Sequence, residues 1–387
     1  MRFDQFIKEN NKKYYENGIK EFTTPSEISP VYSECIACHF ANILKNSNIN
    51  KVKLLELGPG NCTFIKNVKN IFNKQDIKSE VFVLEQSNYL KGKESEIKFL
   101  NNLDDFLNEI SDFCIIFANE FFDALPIRIF KDNKELYYQN KSYEWKVYKE
   151  DKASKSFGTH LENLKKNYTN YFRENTDPSL EKNCADPFGK SAEPGLEKNW
   201  VDPFGKSAES GLEKNWVDPF GKSADPGLEK NWVDPFEKSA EPIFEKNWVE
   251  HHEEGLLILR KILKKLKNKG VLFISDYGFW ENLKGKTLQF LKKGVPCKLE
   301  DFELGEADIT SHIPFFEFEK VAKDMNFEIY KDFQGKFLTE LGALERLNSI
   351  KKMDLPSKIH KEKIILGTER LLNPNGMGSL FKVLILS

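Results

Sequence analysis

Short apolar runs and segments of helical periodicity fill both ends of the chain, and a proline-rich middle separates them. Lys53–Leu57 is an apolar run closed by a glycine turn, which predicts a β-strand, and Val81–Glu85 predicts a second. Phe113–Ala118 is apolar at successive positions, the composition of a strand buried on both faces. Glu250 to Lys269 carries Leu256, Leu257, Leu259, Ile262, Leu263 and Leu266 at helical spacing. Gly270 should stop that helix, with Val271–Ser275 following as a strand. Further along, His312–Asn326 reads as a helix, Phe327–Phe333 as a strand and Phe381–Leu386 as a final strand. Strands alternating with helices predict a mostly parallel α/β sheet covered on both faces.

The middle repeats itself with a period of 16. The unit Leu180-Glu181-Lys182-Asn183-Cys184-Ala185-Asp186-Pro187-Phe188-Gly189-Lys190-Ser191-Ala192-Glu193-Pro194-Gly195 recurs from Leu196, Leu212 and Leu228, and a truncated copy runs Phe244–Glu250. A decayed copy keeps the register from Leu164, so the block spans about 164–250. Eight of the 16 prolines lie between 178 and 242, which excludes a long helix or central strand there. Each unit offers about four sizeable apolar groups, such as Leu196, Trp200, Val201 and Phe204. The block therefore reads as a surface loop rather than core, with an aromatic binding array as the alternative. The expected organisation is 1–145 and 250–387 as two parts of one domain, with 146–249 inserted between them.

Charge narrows the function classes. Lys plus Arg total 58 against 60 Asp plus Glu, a formal net charge of -2 that argues against a polyanion-binding protein. No apolar run approaches the ~18 residues of a spanning helix, and the start Met1-Arg2-Phe3-Asp4-Gln5-Phe6 lacks a secretory apolar core. The expected location is the cytoplasm, or the mitochondrial matrix in a eukaryote, without nucleic-acid partner or membrane insertion. Six cysteines then read as reduced thiols. Cys35-Ile36-Ala37-Cys38-His39 matches covalent haem attachment, but Val31, Cys35, Cys38 and Ile43 share one side of a helix and read as core. No metal site is expected.

Three features carry chemistry. Glu56-Leu57-Gly58-Pro59-Gly60 closes the first strand with glycines that let a ligand approach the backbone. Thr63 stands where a dinucleotide fingerprint needs Gly or Ala, and no Gly-Lys-Ser/Thr follows, so the loop suits a nucleoside without phosphates. Glu85 ends the second strand, placed to accept from both ribose hydroxyls. Asn119-Glu120-Phe121-Phe122-Asp123-Ala124-Leu125-Pro126 follows the buried strand, and two carboxylates there are costly without a purpose.

These stretches resemble the mitochondrial dysfunction protein A family, the respiratory complex I assembly-factor type of S-adenosylmethionine-dependent methyltransferase. The resemblance extends to Phe22-Thr23-Thr24-Pro25-Ser26-Glu27-Ile28-Ser29-Pro30, Asp276-Tyr277-Gly278, Asp308-Ile309-Thr310-Ser311-His312, Gln334 with Phe337-Leu338, and Met377-Gly378 with Phe381-Lys382. It implies a seven-stranded class I methyltransferase (Rossmann-like) sheet carrying an inserted repeat region. It also implies methylation of a protein arginine, with a respiratory-complex subunit as substrate. Glu56, Gly58, Pro59, Gly60, Glu85, Asn102 and Asn119 are the expected S-adenosylmethionine contacts, and Glu120 with Asp123 the expected catalytic acids. Cys62 departs from the family-like third glycine of the loop, and Tyr32-Ser33 from its Phe-Gly.

A carboxylate pair can orient a guanidinium fork and draw its charge away from the attacking nitrogen. Two other readings remain open: the same cofactor with a small-molecule or different side-chain acceptor, and a non-catalytic assembly protein that keeps the fold. Lengthening a surface loop costs about 0.6 kcal/mol per doubling, so repeat number should matter little to the rest of the chain. Deleting Leu180–Gly227, three whole units, is expected to leave the melting temperature and methyl-transfer rate near those of the parent. A collapse in stability would show instead that the units pack as a subdomain.

Overall fold

The computed structural model describes residues 1–16, 23–85, 96–132, 134–148, 248–281 and 285–387. The chain divides into two units, Met1–Trp145 with Asp202–Ser387, and Lys146–Val201. The central sheet and the helices that cover it belong to the first unit. The repeat copies upstream of Trp248 lie outside the described residues.

Helix α1 (Phe3–Glu16) opens the chain. Thr24-Pro25 and Ser29-Pro30 then start two helices in succession, α2 (Pro25–Ile28) and α3 (Pro30–Asn46). Each has a hydroxyl residue at the N-cap and proline in the first turn, a pairing that suits unpaired helix N–H groups. Ser29 Oγ accepts from Val31 N at 3.3 Å. Cys35 is buried and Cys38 half-buried within α3, beside core residues Ile36, Phe40 and Leu44.

The parallel part of the central sheet comes from β1 (Lys51–Leu57), β2 (Lys78–Leu84), β3 (Lys98–Leu100) and β4 (Cys114–Asn119), with β9 (Gly270–Phe279) added later in the chain. Helices α4 (Thr63–Lys74) and α5 (Leu103–Leu107) connect the early strands. Strands β14 (Ile329–Phe333) and β15 (Phe381–Leu386) complete the path β14-β15-β9-β4-β1-β2-β3, with β15 antiparallel to both neighbours. A two-residue strand, β13 (Ile313–Pro314), pairs with the end of β9. The expectation of a mostly parallel α/β sheet is met.

Both faces of that sheet are buried, as the apolar composition of the strands requires. Val52, Leu54, Ile115, Phe117, Val271 and Phe273 face one core, with α3 and α4. Leu55, Leu57, Ile116, Ala118, Leu272 and Ile274 face the other, covered by α5, α6 (Glu253–Leu266) and α7 (Phe315–Asp324). The remaining α-helices among the described residues are α8 (Gln334–Glu340), α9 (Ala343–Lys352), α10 (Lys358–Leu372) and α11 (Met377–Leu380).

Two small sheets that the sequence pattern does not announce lie beyond the carboxyl end of β4. One has the order β7-β6-β5-β8, from β5 (Arg128–Lys131), β6 (Lys134–Gln139), β7 (Ser142–Val147) and β8 (Trp248–His251). The other is β11-β10-β12, from β10 (Gln289–Lys292), β11 (Val295–Pro296) and β12 (Asp308–Thr310). They share a third core with α1.

Two expected helix starts need correction. Glu250 and His251 belong to strand β8, and the helix begins only at Glu253. The reason is tertiary: Glu250 accepts from Trp248 Nε1 at 2.9 Å, Thr287 N at 2.9 Å and Leu288 N at 3.1 Å. Those bonds, with Trp248 buried against Trp145, outweigh the local helical period. The truncated repeat copy therefore ends in a strand and does not run unbroken into α6. Likewise His312 precedes β13, and α7 starts at Phe315.

Gly278 lets β13 approach β9. A Cβ there would lie 2.2 Å from Ile313 O, a distance no side chain tolerates. Gly278→Ala must push the two backbones apart, at a cost of about 1–3 kcal/mol. Chemical denaturation should show that loss; a wild-type midpoint would mean that the β9–β13 contact is not a constraint.

Candidate active site

Strands β1, β2, β4 and β9 run parallel, so their carboxyl ends share one edge of the sheet, where open α/β sheets bind ligands. The glycine turn sits there. Gly58 donates its N–H to Leu84 O at 3.1 Å, which sets the turn beside Glu85, and Cys62 N closes it onto Pro59 O at 2.7 Å. Gly58 and Gly60 have φ of +61° and +52°. A Cβ on Gly58 would meet the Phe121 ring at 3.1 Å, so the turn carries a conformational and a steric demand for glycine. Cys62 holds φ 60° at the N-cap of α4. Its place is thus one that glycine takes without strain, and this chain tolerates cysteine in it with the side chain fully buried.

Glu85 is half-buried directly after β2, its N–H donating to Leu100 O at 3.2 Å. Asn102 follows β3 and is exposed; its Oδ1 accepts from Asp104 N at 3.0 Å and so caps α5. Pro59 and Gly60 are buried in the turn.

Strand alternation carries a polar row along the α3 side of the same edge. Val52, Leu54 and Glu56 share one face of β1, and Ile115, Phe117 and Asn119 the matching face of β4. Phe273, Ser275 and Tyr277 extend the row on β9. Glu56, Asn119 and Ser275 are buried, and Glu56 Oε2, Asn119 Nδ2 and Ser275 Oγ have no hydrogen-bond partner. Burial holds the Glu56 carboxyl well above its ordinary range; the nearby Asn119 amide and the Ile65 N–H offset only part of that. Asn119 Oδ1 accepts from Tyr32 Oη at 2.9 Å.

Beyond β4 the chain turns sharply. Glu120 has φ 47°, and its N–H donates to Ser275 O at 3.0 Å. Asp276, wholly buried on β9, accepts from Phe122 N at 3.1 Å, Asp123 N at 3.4 Å and Tyr277 N at 2.9 Å. These bonds fix the loop that carries the two expected catalytic acids. Glu120 Oε1 and Asp123 Oδ1 are buried without a hydrogen-bond partner. Burial, then the Asp123 charge, keeps the Glu120 carboxyl well above its ordinary range. Burial pushes Asp123 up to about 6, with the Tyr277 hydroxyl opposing. Asp276 is raised by burial and then by Asp123 and Glu120, with the N–H groups of Asp123 and Tyr277 opposing.

More side chains converge here than the sequence motifs assign. Tyr15 Oη donates to buried Asp308 Oδ1 at 2.6 Å. Tyr277 stacks edge-on against His312 at 5.3 Å, and burial depresses His312 to about 4, so it stays neutral. Glu27 accepts from Thr24 N at 2.9 Å and from Asn61 Nδ2 at 2.8 Å, tying the start of α2 to the glycine turn. Asp276, Tyr277, Asp308 and His312 lie in stretches that carry the family resemblance, and period-2 alternation in Phe273-Ile274-Ser275-Asp276-Tyr277 is the signal for Ser275. Among the described residues, no group of three or more His, Cys, Asp or Glu could hold a metal ion, and no helix is long and apolar enough to cross a membrane.

An open glycine turn, an acid at the end of β2 and unpartnered donor and acceptor atoms at the ends of β1 and β4 fit a nucleoside with a zwitterionic amino-acid tail. A family model described as "Putative S-adenosyl-L-methionine-dependent methyltransferase" matches residues 35–331. The chain belongs to that family, and its cofactor is S-adenosylmethionine. Among solved structures, a "likely methyl transferase" from Burkholderia thailandensis, crystallised with S-adenosyl-homocysteine, is 15% identical, with a TM-score of 0.63 over 100% of this chain and 87% of its own. A native crystal structure of an "uncharacterized" protein from the same organism gives 14% and 0.62 over the same shares. At that identity both bear on the fold alone.

The raised carboxyls have a consequence for stability. An acid with a folded pKa above its unfolded value binds protons preferentially in the folded state, so stability falls as pH rises between the two values. For Asp123 that window runs from 3.8 to about 6, and for Glu317, raised to about 7 by burial, from 4.5 to about 7. Ligand-free protein should therefore lose stability between pH 5 and 7, and Asp123→Asn should flatten the slope and gain about 1–3 kcal/mol at pH 7.5. Denaturant melts across pH check this; stability that rises with pH there would contradict the assignment.

Proposed function

We propose that the chain is a protein arginine methyltransferase of the mitochondrial dysfunction protein A type, acting on a respiratory-complex subunit. One observation carries the reading: Glu120 Oε1 and Asp123 Oδ1 are buried and unpartnered beside the glycine turn, with Asp276 and Asp308 also buried. Leaving such atoms unpaired costs about 1–3 kcal/mol each. A planar cation with several N–H donors relieves that cost and the mutual repulsion together. Guanidinium has that shape, and ammonium presents only a point charge.

Bound S-adenosylmethionine supplies a sulfonium methyl group. The residues of this chain have three tasks around it. Glu56, Asn119 and Glu85 bind and orient, and the glycine turn admits the ligand against the backbone. Phe121 and Phe122 exclude water; their rings meet at 5.2 Å and 80°. Glu120 and Asp123 grip the guanidinium, and one of them accepts the proton given up by the methylated nitrogen. An acid near pKa 6 suits that proton better than an ordinary carboxylate. A bound guanidinium favours the ionised form of both acids.

Glu120→Gln and Asp123→Asn keep shape and remove charge. Each should slow methyl transfer about 10- to 100-fold while S-adenosylhomocysteine affinity changes less than about threefold. The acceptor is tested with extract from cells lacking this protein, incubated with enzyme and labelled S-adenosylmethionine and read by mass spectrometry. Methylarginine in a respiratory-complex subunit is the expected product. Label in the small-molecule fraction would favour the alternative acceptor, and full activity in both amide variants would make these acids structural.

A further inference from the structure

Tyr32 is wholly buried in the first turn of α3, beneath the polar row at the ends of β1, β4 and β9. It does not reach the glycine turn through any bond of its own. Its hydroxyl donates to Asn119 Oδ1 at 2.9 Å, and burial keeps the phenol protonated and therefore able to donate. A carboxamide has one acceptor end and one donor end. With Oδ1 engaged by Tyr32, the amide cannot rotate its oxygen outward, and Nδ2 is presented on the other side. Nδ2 is buried and has no partner, and the neighbouring Glu56 Oε2 has none either.

We propose that Tyr32 is a positioning residue for cofactor binding: it locks the Asn119 amide so that its N–H₂ faces the ligand as a donor. The proposal rests on the S-adenosylmethionine reading of this edge and adds to it a residue that makes no ligand contact. A rotated amide would present its acceptor end to the ligand in place of the N–H₂ donor. The frame that holds Tyr32 is rigid. Ser29 Oγ caps α3 and is hydrogen-bonded to Thr368 Oγ1 at 2.8 Å, Asn67 Nδ2 donates to Ser33 Oγ at 2.9 Å, and the Tyr32 ring packs against Phe64 at 6.0 Å. A phenylalanine would keep that packing and lose only the lock.

The test is a double-mutant cycle read by calorimetric binding of S-adenosylhomocysteine, with no turnover needed. Tyr32→Phe should weaken binding about tenfold and lower the ligand-free melting temperature by no more than about 2–4 °C. Asn119→Ala should weaken binding at least as much. In the Asn119→Ala background, Tyr32→Phe should have no further effect, because there is no amide left to orient. Wild-type affinity in Tyr32→Phe, or effects of the two substitutions that multiply, would overturn the proposal while leaving the cofactor reading intact. A wild-type protein that does not bind S-adenosylhomocysteine would overturn both.

Discussion

The carboxylate of Asp276 is the constraint on which the site depends. It lies wholly buried on the central strand β9 and accepts three backbone N–H groups, two of them from the loop after β4. That loop must leave β4 through a left-handed residue, Glu120, a conformation that costs a non-glycine residue about 1–2 kcal/mol. The Asp276 bonds and the Glu120 N–H to Ser275 O offset that cost and hold Glu120, Phe121, Phe122 and Asp123 in one geometry. The sheet thus positions its acids through the main chain of their own loop, held by the buried Asp276 side chain and the Ser275 carbonyl on the neighbouring strand.

Opposed effects act on those acids. Burial disfavours charge on each, and each charge disfavours the next, so the carboxyls of Glu120 and Asp276 are held well above their ordinary range. Arg370 opposes the shift of Glu120, but its effect ranks below those of burial, Asp123 and Glu27. Fold stability would be better served by apolar side chains of similar volume. Retaining Glu120, Asp123, Asp276 and Asp308 together makes sense as binding capacity for a cation, with stability given up at the site and recovered in the two apolar cores on either face of the sheet.

Much of this is legible in the sequence because it is written in local patterns. Apolar runs mark strands buried on both faces, and β1, β2, β4, β9 and β15 each lie where such runs predict them, while the half-exposed edge strand β14 lies within the stretch Phe327–Phe333 read as a strand. Gly58, Asn119, Glu120 and Asp123 stand out as special turn chemistry directly after those runs. What escapes such patterns is set by partners far along the chain. The short strands β5 to β8 and β10 to β12 are half-exposed or only two to six residues long, too short for a period to register. Glu250 sits in a strand because Trp248, Thr287 and Leu288 bond its carboxylate, which the leucine spacing of α6 could not disclose. The cap that Asn102 places on α5 likewise depends on where β3 ends. Tyr32 and Ser275 enter the site only once the register of three strands is known, since alternation assigns a face only after the strand has boundaries.

The central claim is that burial and mutual repulsion hold the carboxyls of the ligand-free site above the ordinary carboxylate range. Carbon NMR of protein labelled at Asp and Glu side-chain carboxyls, followed from pH 4 to pH 8, measures this directly. Signals from Glu120 and from the Asp123–Asp276 pair, assigned through Glu120→Gln and Asp123→Asn, should titrate at higher pH than those of exposed acids such as Glu96. Complete ionisation of all these groups by pH 5 would contradict the account.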